Sequence, residues 1–214
     1  MATSSNGKPT VLILIANGTE EIEFVTPYDV CVRAGFSVHS IGVGLETNHF
    51  VAKCSRNIRL IPDYPSLNDT PSTLLDNGTA LILPGGAAGA KTFSTDASVL
   101  RLIREYRNDG KHVACICAGT TALVASVADA DAAADDSQAA RKCRVTSHPS
   151  VKAEIVAQGW EYAADEERVV VDGRVVTSRG PGTALLFALT IVELLAGREK
   201  RMEVEGPMVC AEVL

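Results

Sequence analysis

Apolar residues fall into short unbroken runs, separated by stretches with helical spacing. Val11 to Ala16 is apolar on both faces and is stopped by Asn17-Gly18. This predicts a central, parallel strand over 10–16. Thr19 then precedes Glu20, Glu21 and Glu23, a polar cap followed by first-turn acids, and Phe24, Val25, Tyr28, Val30 and Val32 carry a helix on to Gly35. Pro27 lies near the start of that helix, where it is tolerated or introduces a kink. Phe36 to Val43 alternates and reads as a second strand, and Pro62, Pro65 and Pro71 mark loops around a small hairpin between Val51 and Ile61. Buried strands are predicted over 79–83, closed by Pro84-Gly85-Gly86, and over 112–117. Helices are predicted over 96–109 and 119–128. A further strand ends at Val145-Thr146-Ser147-His148-Pro149. It is followed by a helix to Gly159, a hairpin around Asp172-Gly173, a strand over 174–178 and a long helix from Thr183 to Ala196 opened by Gly180-Pro181-Gly182.

Strand and helix alternate, which predicts a parallel α/β sheet with helices on both faces. Sites in such sheets form at the carboxyl ends of strands. The residues to inspect are therefore Glu20 to Glu23, Gly85-Gly86 and Cys117-Ala118. With 214 residues, one domain is the better prior, here over 10–210, with residues 1–9 as a disordered polar segment and an acidic, solvated insertion at about 128–142. A formal net charge of -6 argues against nucleic-acid binding. No apolar run approaches the roughly 20 residues of a membrane span. The run at 11–16 is too short for a secretory leader, so the six cysteines are read as reduced thiols in a cytoplasmic protein.

The chemistry centres on Val113-Ala114-Cys115-Ile116-Cys117-Ala118-Gly119-Thr120. A buried strand that breaks into small residues and then a helix puts Cys117 on a sharp corner, as in a nucleophile elbow. The helix N-terminus there favours an anion and predicts a lowered thiol pKa. Cys115 fits a buried structural thiol. Gly85-Gly86 lets backbone amides approach a substrate oxygen. Glu23 is open to two readings, an acid partner or a solvated first-turn acid. His148 is either a nearby base or a hydrogen-bonded strand-end histidine.

Five pieces of the chain together resemble the ThiJ/PfpI superfamily, in the branch of the parkinsonism-associated deglycase. They are Ala16-Asn17-Gly18-Thr19-Glu20-Glu21-Ile22-Glu23, Leu83-Pro84-Gly85-Gly86, Ile116-Cys117-Ala118-Gly119, Ser147-His148-Pro149 and Thr177-Ser178-Arg179-Gly180-Pro181-Gly182-Thr183. The resemblance implies a flavodoxin-like, Rossmann-like three-layer sandwich and a homodimer. It implies cofactor- and metal-independent action on methylglyoxal or glyoxal as a glyoxalase III, deglycation of glycated proteins and nucleotides, and a chaperone or oxidative-stress role. By the same resemblance Cys117 is the nucleophile, Glu23 its acid partner and His148 a nearby base, with the amides of Gly86 and Ala118 as the oxyanion hole. Gly85, Asn17, Glu20, Arg33 and Arg56 take supporting or substrate-binding places.

Three features depart from the branch: Thr120 stands where proline typically follows Cys-Ala-Gly, Ile61 occupies a position where some members carry a second redox cysteine, and the acidic insertion is longer than usual. The alternative of another class is a non-enzymatic redox sensor or chaperone that uses Cys117 oxidation as its switch. A PfpI-like peptidase or glutamine amidotransferase shares the elbow but fits less well: the amidotransferase wants a triad glutamate shortly after the histidine, and Pro149, Ser150, Val151 and Lys152 follow His148, with Glu154 six on.

Overall fold

The structure, a computed structural model, describes residues 7–46, 50–128 and 138–211. Residues 1–6 of the segment expected to be disordered lie outside that range, as do residues 129–137 of the acidic insertion. The elements run in the order β1 (Thr10–Ile15), α1 (Glu21–Arg33), β2 (Ser37–Gly42), β3 (Ala52–Lys53), β4 (Arg59–Leu60), α2 (Ser72–Asn77), β5 (Ala80–Leu83), α3 (Ala87–Thr95), α4 (Ala97–Asn108) and β6 (His112–Ile116). There follow α5 (Thr120–Ala128), β7 (Arg144–Val145), α6 (Lys152–Ala157), β8 (Glu161–Tyr162), β9 (Val169–Asp172), β10 (Val175–Ser178), α7 (Ala184–Ala196) and α8 (Arg198–Glu205).

Six strands form one sheet in the order β2-β1-β5-β6-β10-β9, parallel throughout except for β9 on β10. The two-residue period of a strand divides β1 between two cores. Val11, Ile13 and Ile15 pack on the side of α1 and α7, and Leu12 and Leu14 on the side of α4 and α5. All five are fully buried, at roughly 2 kcal/mol of burial free energy each. This is the α/β sandwich expected from the alternation. The chain steps from β1 to β2 on one side and returns to β5 on the other. The carboxyl ends of β1 and β5 therefore flank a topological switch point, where open α/β sheets place their sites.

Three helices, α2, α3 and α8, were not anticipated. For α3 the reason is plain: its sequence Ala-Ala-Gly-Ala-Lys-Thr-Phe-Ser-Thr buries only Gly89, Ala90 and Phe93, too few for a periodic signal. The start of α1 also differs. Glu20, not Thr19, caps it, accepting the Glu23 amide at 2.9 Å, while Thr19 Oγ1 turns back to accept from Ala16 N. The strand expected to end at His148 is only β7, which pairs with β8 outside the main sheet and stops before Thr146. The hairpins at 51–61 and around Asp172-Gly173 are present as β3–β4 and β9–β10.

Candidate active site

Cys117 stands at the carboxyl end of β6, on a single 3-10 turn, Cys117–Gly119, that leads into α5. Its φ is 62°, the left-handed region. A non-glycine residue there costs about 1–2 kcal/mol, a strain that the flanking buried strand and helix hold in place. The corner turns Cys117 away from the core that holds Cys115 and towards the end of β5. The amides of Ala118 and Gly86 lie close enough to the sulfur to favour its charged form.

Gly85 and Gly86 are needed for different reasons. Gly86 caps α3 with φ 85°, a glycine conformation. A Cβ on Gly85 would stand 2.5 Å from Glu23 Oε2, 2.6 Å from the Cys117 Cβ and 3.0 Å from the Ala118 nitrogen. The missing side chain is thus what lets Glu23, Cys117 and the elbow amide meet. Glu23 is fully buried, and its Oε2 accepts the Gly85 amide at 2.8 Å. Its Oε1 is buried and has no hydrogen-bond partner among the described residues.

Burial pushes the Glu23 carboxyl up to about 7. Contact with the Cys117 thiol and the Gly85 amide pulls it down, and the Glu20 charge adds to the rise. Burial and, next, the Glu23 charge push the Cys117 thiol up to about 12, against the downward pull of the Ala118 and Gly86 amides. The lowered thiol pKa expected from the helix N-terminus is therefore reversed, because desolvation beside a carboxylate outweighs two amides. The two groups titrate as one unit, with two protons below about pH 7 and a single shared proton above it.

His148 Nδ1 accepts the Ser150 amide at 3.2 Å and lies 2.8 Å from Ser150 Oγ. The ring edge that bears Cδ2 faces Gly180, and Gly180 in turn faces Glu23 Oε1. The segment before His148 is hung from the sheet. Thr146 N donates to Thr177 Oγ1, and Thr120 Oγ1 donates to the Thr146 carbonyl. Tyr162 clamps Ser147 through its backbone N–H and carbonyl. Thr120 thus supplies a tie between the elbow helix and the histidine segment that a proline could not make.

Residues 9–194 match the sequence model of the DJ-1/PfpI family. The chain belongs to the DJ-1/PfpI family. It is 38% identical over 199 residues to the Parkinson disease protein 7 homolog of Danio rerio, covering 92% of this chain and 95% of that protein. It is 34% identical over 194 residues to the glutathione-independent glyoxalase DJ-1 of Schizosaccharomyces pombe, covering 89% of this chain and 93% of that one. The solved structure of Schizosaccharomyces pombe DJ-1 superposes with a TM-score of 0.82 at 30% identity, over 94% of this chain and all of that one.

The remaining residues assigned by the DJ-1/PfpI resemblance separate into two groups. Glu20 lies in the site as a support: its carboxylate caps α1 through the Glu23 amide, and its own amide donates to the Gly85 carbonyl at 3.0 Å. Asn17 Oδ1 accepts the Lys53 amide at 2.9 Å and joins the end of β1 to the β3–β4 hairpin. Arg56 is held through its backbone, its amide donating to Glu21 Oε1 while its guanidinium reaches the Ser55 carbonyl. Arg33 is not brought to the pair. It ends α1 in an exposed ion pair with Asp29, roughly 15 Å along the helix from Glu23 at 1.5 Å per residue. Gly180 and Tyr162 were given no role from sequence. Gly180-Pro181-Gly182 offered a signal, since a glycine in a turn after a strand marks close approach, whereas nothing local marks Tyr162.

Proposed function

We propose that this chain is a cofactor-independent glyoxalase that converts methylglyoxal and glyoxal to 2-hydroxy acids through Cys117. The observation that carries this reading is the coupled pair: a buried carboxyl that titrates near neutrality, set against a sulfur that faces two backbone amides. The relatives named glutathione-independent glyoxalases in Schizosaccharomyces pombe and Caenorhabditis elegans agree with it.

The pair supplies each step. Cys117 hands its proton to Glu23, and the thiolate attacks the aldehyde carbon. A carbon–sulfur bond forms, and the carbonyl electron pair moves onto oxygen, where the amides of Gly86 and Ala118 receive it. Protonation by Glu23 completes the hemithioacetal. The Glu23 carboxylate then takes the proton from that carbon and returns it to the neighbouring one, while the hydroxyl proton on the first carbon's oxygen passes to the oxygen of the second. The first carbon is oxidised to a thioester and the second is reduced from ketone to alcohol, so no external oxidant is needed. Water hydrolyses the thioester, releasing the hydroxy acid and restoring the thiol. Because Nδ1 of His148 accepts the Ser150 amide, the neutral ring carries its proton on Nε2. His148 then donates to the substrate's second oxygen, rather than acting as the base that the resemblance implied.

Deglycation would use the same pair on dicarbonyl released from, or still attached to, an amine. Measuring adduct loss while a scavenger holds free methylglyoxal near zero separates the two. Oxidation of Cys117 to sulfinate, the switch of a stress-response role, suits the same surroundings, since the two amides and a protonated Glu23 would receive its oxygens. We also infer a homodimer through the groove lined by Phe24, Val25, Tyr28, Val32, Leu60 and Ile61. Val25, Val32 and Ile61 are exposed there, an apolar face of the kind that marks association.

The direct test is hydroxy-acid production from methylglyoxal by the purified protein. Turnover that disappears in Cys117→Ala supports the reading, and no turnover in the parent protein refutes it.

A further inference from the structure

A methyl group built on Gly180 would lie 3.6 Å from His148 Cδ2 and 4.0 Å from Glu23 Oε1, with nothing else among the described residues within 4 Å beyond its own chain neighbours. The space next to Gly180 is therefore bounded by two side chains of the candidate site. One of the two atoms facing it, Glu23 Oε1, belongs to a fully buried side chain and is without a hydrogen-bond partner among the described residues. Buried carboxyl oxygens are ordinarily satisfied, and one left open beside a gap is suited to a ligand group. The other bounding residue turns towards the gap the ring edge next to Nε2, while Nδ1 is taken by Ser150. Gly180 itself is pinned: its amide donates to Thr183 Oγ1, and its carbonyl accepts from the Thr183 amide and hydroxyl.

We propose that this gap is the seat of the second carbon of the dicarbonyl, and that Gly180 sets the size of the group that carbon carries. The inference rests on the glyoxalase reading and sharpens it. With the aldehyde carbon on the Cys117 sulfur and its oxygen on the amides of Gly86 and Ala118, the adjacent carbon extends towards Glu23 Oε1. Its oxygen lies between Glu23 Oε1 and the Nε2–H of His148. Its substituent, hydrogen in glyoxal and methyl in methylglyoxal, then abuts Gly180. The backbone at Gly180 is extended, with φ 171° and ψ -168°, a conformation open to any residue, and both contacts of an added methyl are ordinary van der Waals distances. Alanine there narrows the gap on the side of the substituent without straining the fold.

The test compares Gly180→Ala with the parent protein on glyoxal, methylglyoxal and phenylglyoxal. The deciding quantity is the ratio of kcat/KM between substrates. Alanine should raise the preference for glyoxal over methylglyoxal by about 10-fold, the discrimination that a pocket exerts over one methylene. It should raise the preference over phenylglyoxal further, with the thermal midpoint unchanged. Equal losses on all three, or no change in the ratio, overturn the proposal. A second readout needs no turnover: the rates at which iodoacetamide and the bulkier N-phenyliodoacetamide alkylate Cys117. Alanine should slow the bulkier reagent selectively, and equal effects on both would overturn the claim about space. If the parent protein turns over no dicarbonyl, the glyoxalase reading falls, and the alkylation ratio still decides whether Gly180 sets the room beside Glu23.

Discussion

The Gly85 amide donates to Glu23 Oε2 at 2.8 Å, and a side chain on Gly85 would collide with both Glu23 and Cys117. One glycine thus holds the carboxyl and makes room for the thiol. Gly85→Ala should separate the pair and lower kcat/KM for methylglyoxal by about 10²-fold or more, the cost of a misplacement near 1 Å. Overpacking should destabilise the fold by about 1–3 kcal/mol. Steady-state kinetics with urea denaturation measures both, and unimpaired turnover would show that Gly85 does not set this geometry.

The shared proton predicts the pH profile. Below about pH 7 the pair is doubly protonated and carries no thiolate; above it one negative charge is available. Turnover should rise with pH through an apparent pKa near 7 and level off beyond it. Glu23→Gln leaves the thiol to titrate alone, so the rise should move to higher pH and kcat/KM should fall by about 10²–10⁴-fold. A profile that keeps its midpoint in Glu23→Gln would remove Glu23 from the reaction.

Stability should depend on the same carboxyl with a defined sign. The folded pKa, about 7, lies above the ordinary 4.5, so the fold favours the neutral form. That stability is complete below pH 4.5 and is lost as pH rises through 7. Glu23→Gln stays neutral throughout. Relative to Glu23→Gln, the parent protein should lose about 3 kcal/mol between pH 4 and pH 8. Denaturation of both proteins at the two pH values checks it, and parallel curves would contradict a raised Glu23.

The groove beside α1 gives the oligomer prediction. Ile61 is 76% exposed at its edge, beside Val25 and Val32. Light scattering at micromolar concentration should find a dimer, and Ile61→Asp should shift it to monomer by placing a charge in an apolar contact. A monomeric parent protein would refute the dimer.

The sequence by itself determined the strands of the main sheet, most of the long helices and the corner at Cys117. Those follow from periods of two and 3.6 residues and from small residues at a strand end, all of which are local. The positions after β1, β5 and β6 were legible for the same reason, since parallel sheets gather their sites at strand ends. Tertiary structure decided the rest. Glu20 rather than Thr19 caps α1, and the Gly85 carbonyl, in the turn after β5, holds the Glu20 amide. Arg33 falls away from the site because helical rise carries it down α1 to Asp29. His148 is held through Thr146, itself tied to Thr177 of the main sheet and to Thr120 of the elbow helix, rather than by a strand of its own in that sheet. The protonation of Glu23 and Cys117 is the clearest case. From sequence, a helix N-terminus argued for a low thiol pKa; in the fold, the two groups are brought together out of water, and desolvation with mutual repulsion exceeds the pull of the amides. Charge states and empty space depend on which groups meet across 62 residues of chain, as Glu23 and Gly85 do, and no local pattern encodes that distance.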